Sequence, residues 1–223
     1  MNNTLDELKK LLGMQGVEGE GQIVARFKKL AEILLKDIKI QKGDKKYLIT
    51  EIEFYWYTNT HRDIITYPRK CSAGMWYFHS SGVDISFESD VLTEGDNKPI
   101  LNKDARFGGI LIRGIKPEES GQSEKKDALS SHPLNIVDEL FDCIDAFGNP
   151  DDLPKLIAEP HSAVIQKAEK RYIPLRKDTP ETKVKKIIAN YKKGCITDEF
   201  QKELIDSFSQ YKEQPYRYKA EVL

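Results

Sequence analysis

Apolar positions recur at helical spacing along residues 4–14, with Leu5, Leu8, Leu11 and Leu12 on one face. Thr4 opens that run and Glu7 follows three residues on, the pairing of a capping box. A Gly-rich break at Gly13, Gly16, Gly19 and Gly21 precedes a longer run. There Ile23, Phe27, Leu30 and Leu34 share a face that Val24, Ala31, Leu35 and Ile38 widen, which predicts a core helix ending before Gly43.

The pattern then changes period. Residues 46–57 are aromatic and β-branched and alternate: Ile49, Glu51, Glu53 and Tyr55 share one parity, Leu48, Thr50, Ile52 and Phe54 the other. This predicts a strand with one apolar face and one face bearing carboxylates. Residues 58–73 read as a loop with His61, Arg62, Asp63 and Pro68, and residues 75–79 and 83–89 as two strands joined tightly through Ser80, Ser81 and Gly82. Residues 90–106 form a polar excursion, and residues 108–115 a short buried strand with one basic residue, Arg113. Beyond Pro117 come a polar loop at 118–131, a helix marked by Ile136, Val137, Leu140, Phe141 and Ile144, and loop with short helix over 150–165. Two helices at 180–193 and 197–211 and a last strand at 215–220 complete the order. Helices, then clustered strands, then helices predict an α+β fold. A central curved antiparallel or mixed sheet carries helices at its N- and C-terminal sides, in one domain of N-terminal helices 4–38, strand-rich core 46–117 and helical basic part 134–220.

At 223 residues the chain is long enough to bury a core without disulfides. Its three cysteines (Cys71, Cys143, Cys195) lie far apart with no CxxC pair, which points to reduced thiols in a cytoplasm and away from a zinc knuckle. No stretch reaches the roughly 18 apolar residues of a membrane helix, and the opening MNNTLDELKK lacks the apolar core of a leader peptide. Net charge is -1, so any contact with nucleic acid must come from a local patch. Residues 166–193 offer one: ten Lys or Arg, among them Lys167, Lys170, Arg171, Arg176 and Lys177, against three acids. Such a stretch holds phosphates or is simply a solvated face.

Glu51 and Glu53, two apart on one strand face, would repel if both were buried, unless a cation held them. Arg113, alone in an apolar strand and unable to lose its charge, is the natural cation. Tyr55, Trp56 and Tyr57 surround Glu53, and Trp76, Tyr77, Phe78 and His79 form a second aromatic cluster. A carboxylate beside flat aromatic groups suits a planar, cationic ring held by stacking. Equally, part of each cluster is ordinary core, Trp56 and Tyr77 above all.

The segments LITEIEFYW, the His six residues after Tyr55, GMWYFHSSG and GGILIRGIKP together resemble the alkyladenine (3-methyladenine) DNA glycosylases, over residues 46–117. In that family a strand of the form V-E-T-E-A-Y carries the catalytic Glu as its second acid, with a base-stacking Tyr two residues on. The resemblance implies Glu53 as the catalytic Glu, Tyr55 as the stacking Tyr, and Arg113, with Glu51, as support. His61, Trp76 and Phe78 would contact the base. It departs from the family where Ser81 stands for the wedge Tyr of the hairpin and Glu88 for a base-reading Asn, and its Tyr55–His61 loop is three residues shorter.

Three readings follow. In the first, the chain is a DNA base-excision N-glycosylase: the basic C-terminal part grips damaged double-stranded DNA, a nucleotide flips out, and Glu53 activates a water that attacks the sugar carbon. A cytoplasmic monomer without metal or other cofactor suffices. In the second, favoured by Ser81, Glu88 and the near-neutral charge, a non-catalytic relative binds nucleic acid or a nucleobase-like ligand. In the third, the N-terminal helices form an interaction surface. His79, His132 and His161 lack metal-ligand spacing.

Overall fold

The computed structural model describes residues 3–95, 97–118, 132–142, 148, 152–174 and 178–223. Arg176, Lys177, Cys143, Ile144 and nearly all of the polar loop 118–131 lie outside them. Among the described residues, five helices accompany one large curled antiparallel sheet, a half-barrel, in the α+β class that the order of elements predicts.

The helices α1 (Asn3–Leu12) and α2 (Glu20–Lys36) come first, then the hairpin of β1 (Ile38–Lys42) and β2 (Lys45–Tyr57). The hairpin β3 (Trp76–His79) and β4 (Gly82–Ser86) follows, with a small ribbon of β5 (Leu92–Glu94) and β6 (Lys98–Ile100), the long β7 (Phe107–Pro117) and α3 (Pro133–Phe141). After β8 (Lys155–Ala158) and β9 (Ala163–Ile165) come α4 (Pro180–Ile188), α5 (Asp198–Lys212) and β10 (Arg217–Val222). The strand order is β3-β4-β7-β2-β1-β8, with β10 beside the second half of β2 and β9 beside β10.

Two expectations are corrected here. The second helix stops at Lys36, and Ile38 and Ile40 instead open β1 as fully buried strand residues. The stretch 150–165 holds β8 and β9 rather than a short helix. The strands there are three to five residues long, a length at which helix and strand periods look alike.

The central strand β2 pairs with β7 along one side, Glu53 opposite Leu111, and with β10 on the other, Glu53 opposite Arg217. Its register slips around Thr50. Thr50 on β2 and then Arg113 on β7 are each left without a register partner, and the alternation reverses there, so Tyr47 and Ile49 before it and Ile52, Phe54 and Trp56 after it enter the same core. The expected parity therefore holds for Glu51, Glu53 and Tyr55 but not for Ile49. Gly114 on β7 leaves room for the bulge: a Cβ there would stand 2.6 Å from Thr50 Oγ1.

The apolar stripe of α2 packs on this face. Phe27 stacks on Phe54 at 4.5 Å between ring centres and meets Tyr216 edge-on at 5.1 Å. A second cluster forms where α4 and α5 pack against the far end of β2 and β7, joining Tyr57, Phe107, Val184, Tyr191, Leu204 and Phe208. Thr179 and Thr197 cap the two helices by accepting from the N–H three residues on. The face of β2 opposite the first core carries the carboxylates, and its last residue, Tyr57, joins the second. Among the described residues no helix is long and apolar enough to cross a membrane.

Candidate functional site

Glu51 and Glu53 lie between two guanidinium groups, one from each neighbouring strand. Arg113 on β7 donates to Glu51 Oε1 at 3.0 Å and to Glu53 Oε2 at 3.3 Å. Arg217 on β10 donates to Glu51 Oε1 at 2.7 Å and lies 3.8 Å from Glu53 Oε1. Two acids and two bases offset one another, which is what lets both carboxylates leave water. Sequence spacing identifies Arg113; Arg217 escapes it, because its partner stands 164 positions away in register on β2.

Glu53 is 0% exposed. Besides Arg113 it accepts from the Tyr55 hydroxyl at 2.8 Å and from the Tyr172 backbone N–H at 2.8 Å. Both oxygens are thus hydrogen-bonded within the protein. Tyr55 is held in place by this bond and by the Arg171 guanidinium 4.6 Å over its ring. Burial, then the Glu53 charge, pushes the Tyr55 hydroxyl well above its usual range, so it stays a donor.

Beside this network opens a cavity of about 740 Å³ between the sheet, the 65–70 loop, the start of α3, residues 172–174 and α4. Tyr55 and Arg113 line it; Glu51 and Glu53 do not. The hairpin contributes Tyr77, His79 and Asp84. Asp84, 1% exposed, accepts from Arg69 Nη2 at 2.6 Å and from His79 Nε2 at 2.9 Å. Although burial opposes it, these two partners hold the Asp84 carboxyl below its usual range. With Nε2–H donating to Asp84, His79 Nδ1 accepts from the Ser81 backbone N–H at 3.2 Å. Arg69 in turn lies 3.9 Å over the Tyr77 ring.

The remaining sequence candidates lie elsewhere. Trp76 and Phe78 occupy the opposite face of β3, where both rings meet Phe141 of α3 edge-on, and Trp76 Nε1 donates to the Pro154 carbonyl at 2.8 Å. Their strand neighbours Tyr77 and His79 face the cavity instead, a choice between two parities that a four-residue strand leaves open. His61 is 1% exposed: Nδ1–H donates to the Trp56 carbonyl at 2.7 Å, and Nε2 accepts from the Tyr216 hydroxyl at 3.0 Å. Burial lowers its pKa, in keeping with that neutral tautomer.

The basic stretch divides. Arg171 is 3% exposed, donating to Asp63 at 2.6 and 3.2 Å and to the Phe54 and Tyr211 carbonyls. Lys170 is exposed and pairs with Glu213, and Lys167 is exposed. On α4, Lys185 and Lys186 pair with Glu181 and Asp178. Among the described residues no three His, Cys, Asp or Glu side chains converge to hold a metal.

No family model, curated protein or solved structure matches the chain.

Proposed function

We propose that this protein binds a planar, nucleobase-type ring in the cavity beside Tyr55, as a binding protein rather than a hydrolase. One observation carries the reading: aromatic and arginine residues line the cavity, whereas Glu53, the one carboxylate that chemistry would need, does not line it and has both oxygens engaged. A volume of about 740 Å³ suits a small ligand of this size. Tyr55 and Tyr172 offer ring faces or edges for stacking, and Arg113 and Arg69 offer donors at the periphery. We take the chain to be a cytoplasmic monomer that needs no cofactor, in line with three widely spaced cysteines and no CxxC pair.

A second reading, base excision from alkylated double-stranded DNA, is favoured by one contact. The Tyr55 hydroxyl links the cavity to Glu53, and the Tyr172 N–H, beside the cavity, donates to the other carboxylate oxygen, with Arg217 3.8 Å from it. If the 172–174 segment lifted, Glu53 would face a ring stacked on Tyr55 and serve as general base toward water.

A duplex containing one alkylated adenine separates the two. Binding without release of free base supports the binding protein. Release that disappears in Glu53→Gln supports the glycosylase. Neither binding nor release removes the glycosylase and any hold on duplex DNA, and leaves a free nucleobase-type ligand to be titrated directly; if that too fails to bind, the N-terminal helices remain as an interaction surface.

A further inference from the structure

The reading above leaves open what charge the ring carries. Three tyrosines that line the cavity each have a guanidinium over the ring: Arg171 lies 4.6 Å from the centre of Tyr55, Arg69 3.9 Å from Tyr77 and Arg113 5.5 Å from Tyr172. A tyrosine ring attracts a cation through the negative potential of its face. Here that attraction is already taken up by arginines, which cannot lose their charge. A cationic ring stacked on any of the three would meet a like charge close by.

A cationic ring also finds no acid to pair with. Among the described residues Asp84 is the one carboxylate that lines the cavity, and it is 1% exposed and shared by Arg69 and His79. Glu53 does not line it.

Cations are in excess on the same walls. Arg69 offsets Asp84, and Arg113 with Arg217 offsets Glu51 and Glu53. Lys183 on α4 is left over. It lines the cavity, is partly buried, and pairs with no acid among the described residues, whereas its helix neighbours Lys185 and Lys186 hold Glu181 and Asp178. Lys70, also on the wall, is exposed and stands 3.7 Å from Asp90. A cleft lined by excess charge of one sign draws in ligands of the other.

One corner of the cavity sets a donor for such a ligand beside the rings. The Tyr55 hydroxyl and Arg113 Nη1 donate to the same oxygen, Glu53 Oε2, and the Tyr172 N–H donates to Glu53 Oε1, so these three cavity-lining residues meet at one carboxylate. Arg113 gives Nε to Glu51 and Nη1 to Glu53, which leaves Nη2 with no acceptor among the described residues. The Arg113 side chain keeps 10% of its surface open, and Tyr172 beside it is 62% exposed.

We infer that the cavity takes a planar anion, a nitrogen heterocycle bearing a carboxylate or an ionised oxygen, with its charge at Arg113 in the corner between Tyr55 and Tyr172, and that it turns away a cationic ring. This inference rests on the nucleobase-type reading and fixes the charge of the ligand.

Calorimetric titration of the full chain at neutral pH with orotate, uracil, adenosine, 1-methyladenosine and inorganic phosphate tests it. Orotate is a pyrimidine with a carboxylate that uracil lacks, and 1-methyladenosine is an adenosine with a positive ring. Orotate is expected to bind roughly tenfold or more tighter than uracil, and 1-methyladenosine more weakly than adenosine. Added salt should weaken orotate more than uracil. Lys183→Gln should narrow the ratio of orotate to uracil affinity by about threefold. Arg113→Lys, which keeps a charge between the two glutamates but gives up Nη2, should narrow it at least as much. If Arg113→Lys fails to fold, Lys183→Gln and the wild-type ranking still decide. Orotate binding no tighter than uracil, 1-methyladenosine binding tighter than adenosine, phosphate binding as tightly as orotate, or an orotate preference that no folded variant narrows overturns the inference while leaving the ring-binding reading intact. No binding by any of the four rings overturns both.

Discussion

The Tyr55 hydroxyl donates to the Glu53 carboxylate at 2.8 Å, two residues earlier on the same face of β2. The bond ties the floor of the cavity to a carboxylate that is itself out of reach. A hydrogen bond to a buried charged group contributes about 1.5–3 kcal/mol. Tyr55→Phe should therefore lower stability in urea unfolding by an amount in that range, with an unchanged slope. A loss near zero would mean that the hydroxyl finds another partner and that Tyr55 is not anchored by Glu53.

Arg171 and Asp63 form a pair in which both side chains are 0% exposed. Breaking such a pair from one side leaves a charge buried alone, at about 3–5 kcal/mol. Arg171→Met and Asp63→Asn should each destabilise strongly, and the double variant by less than the sum. Additive losses in that cycle would show that the two do not act as a unit, and would return Arg171 to the role of phosphate contact.

His61 makes stability depend on pH. Burial is the main cause of its lowered pKa, from an ordinary 6.5. The unfolded chain then binds a proton more readily than the folded one, so this contribution is present above about pH 6.5 and is lost as the pH falls below it. The slope for one such group is at most about 1.4 kcal/mol per pH unit. Melting curves at pH 7.5 and 5.5 should show the fall, and His61→Asn should lessen it, with His161, also lowered by burial, keeping part. An unchanged pH response in the variant would remove His61 from the account.

Gly114→Ala probes the bulge. The added Cβ would come within 2.6 Å of Thr50 Oγ1 and 2.9 Å of Glu51 Cβ. Overpacking of this kind costs about 1–3 kcal/mol. A thermal melt of the variant should show that loss; an unchanged melting temperature would mean that the bulge relaxes freely.

Much of the frame is legible in the sequence because single periods run long enough to be read. Leu5 to Leu12 and Ile23 to Leu34 mark two helices, and the alternation that puts Glu51, Glu53 and Tyr55 together survives folding. The phase change at Thr50 is invisible, since a bulge is set by what Gly114 allows across the sheet rather than by Thr50 itself. Arg113 stands out as a lone charge in an apolar strand, whereas Arg217 sits in a mixed segment whose register only the fold decides. In the 76–79 strand either parity is aromatic, so the facing of Tyr77 and His79 toward the cavity, and of Trp76 and Phe78 away, follows from the docking of α3.

The occupancy of the cavity by a flat ring is tested most directly by saturation-transfer NMR on nucleosides and nucleoside monophosphates, with Ile187→Trp as the blocked control. Ile187 is a half-buried cavity-wall residue on α4, where a larger side chain fills the space without touching the Glu53 network. Strong transfer to the base protons, weaker transfer to the sugar, and loss of both in a folded Ile187→Trp variant is the predicted result. Absence of transfer in the wild-type protein, or transfer that persists undiminished in the variant, would contradict it.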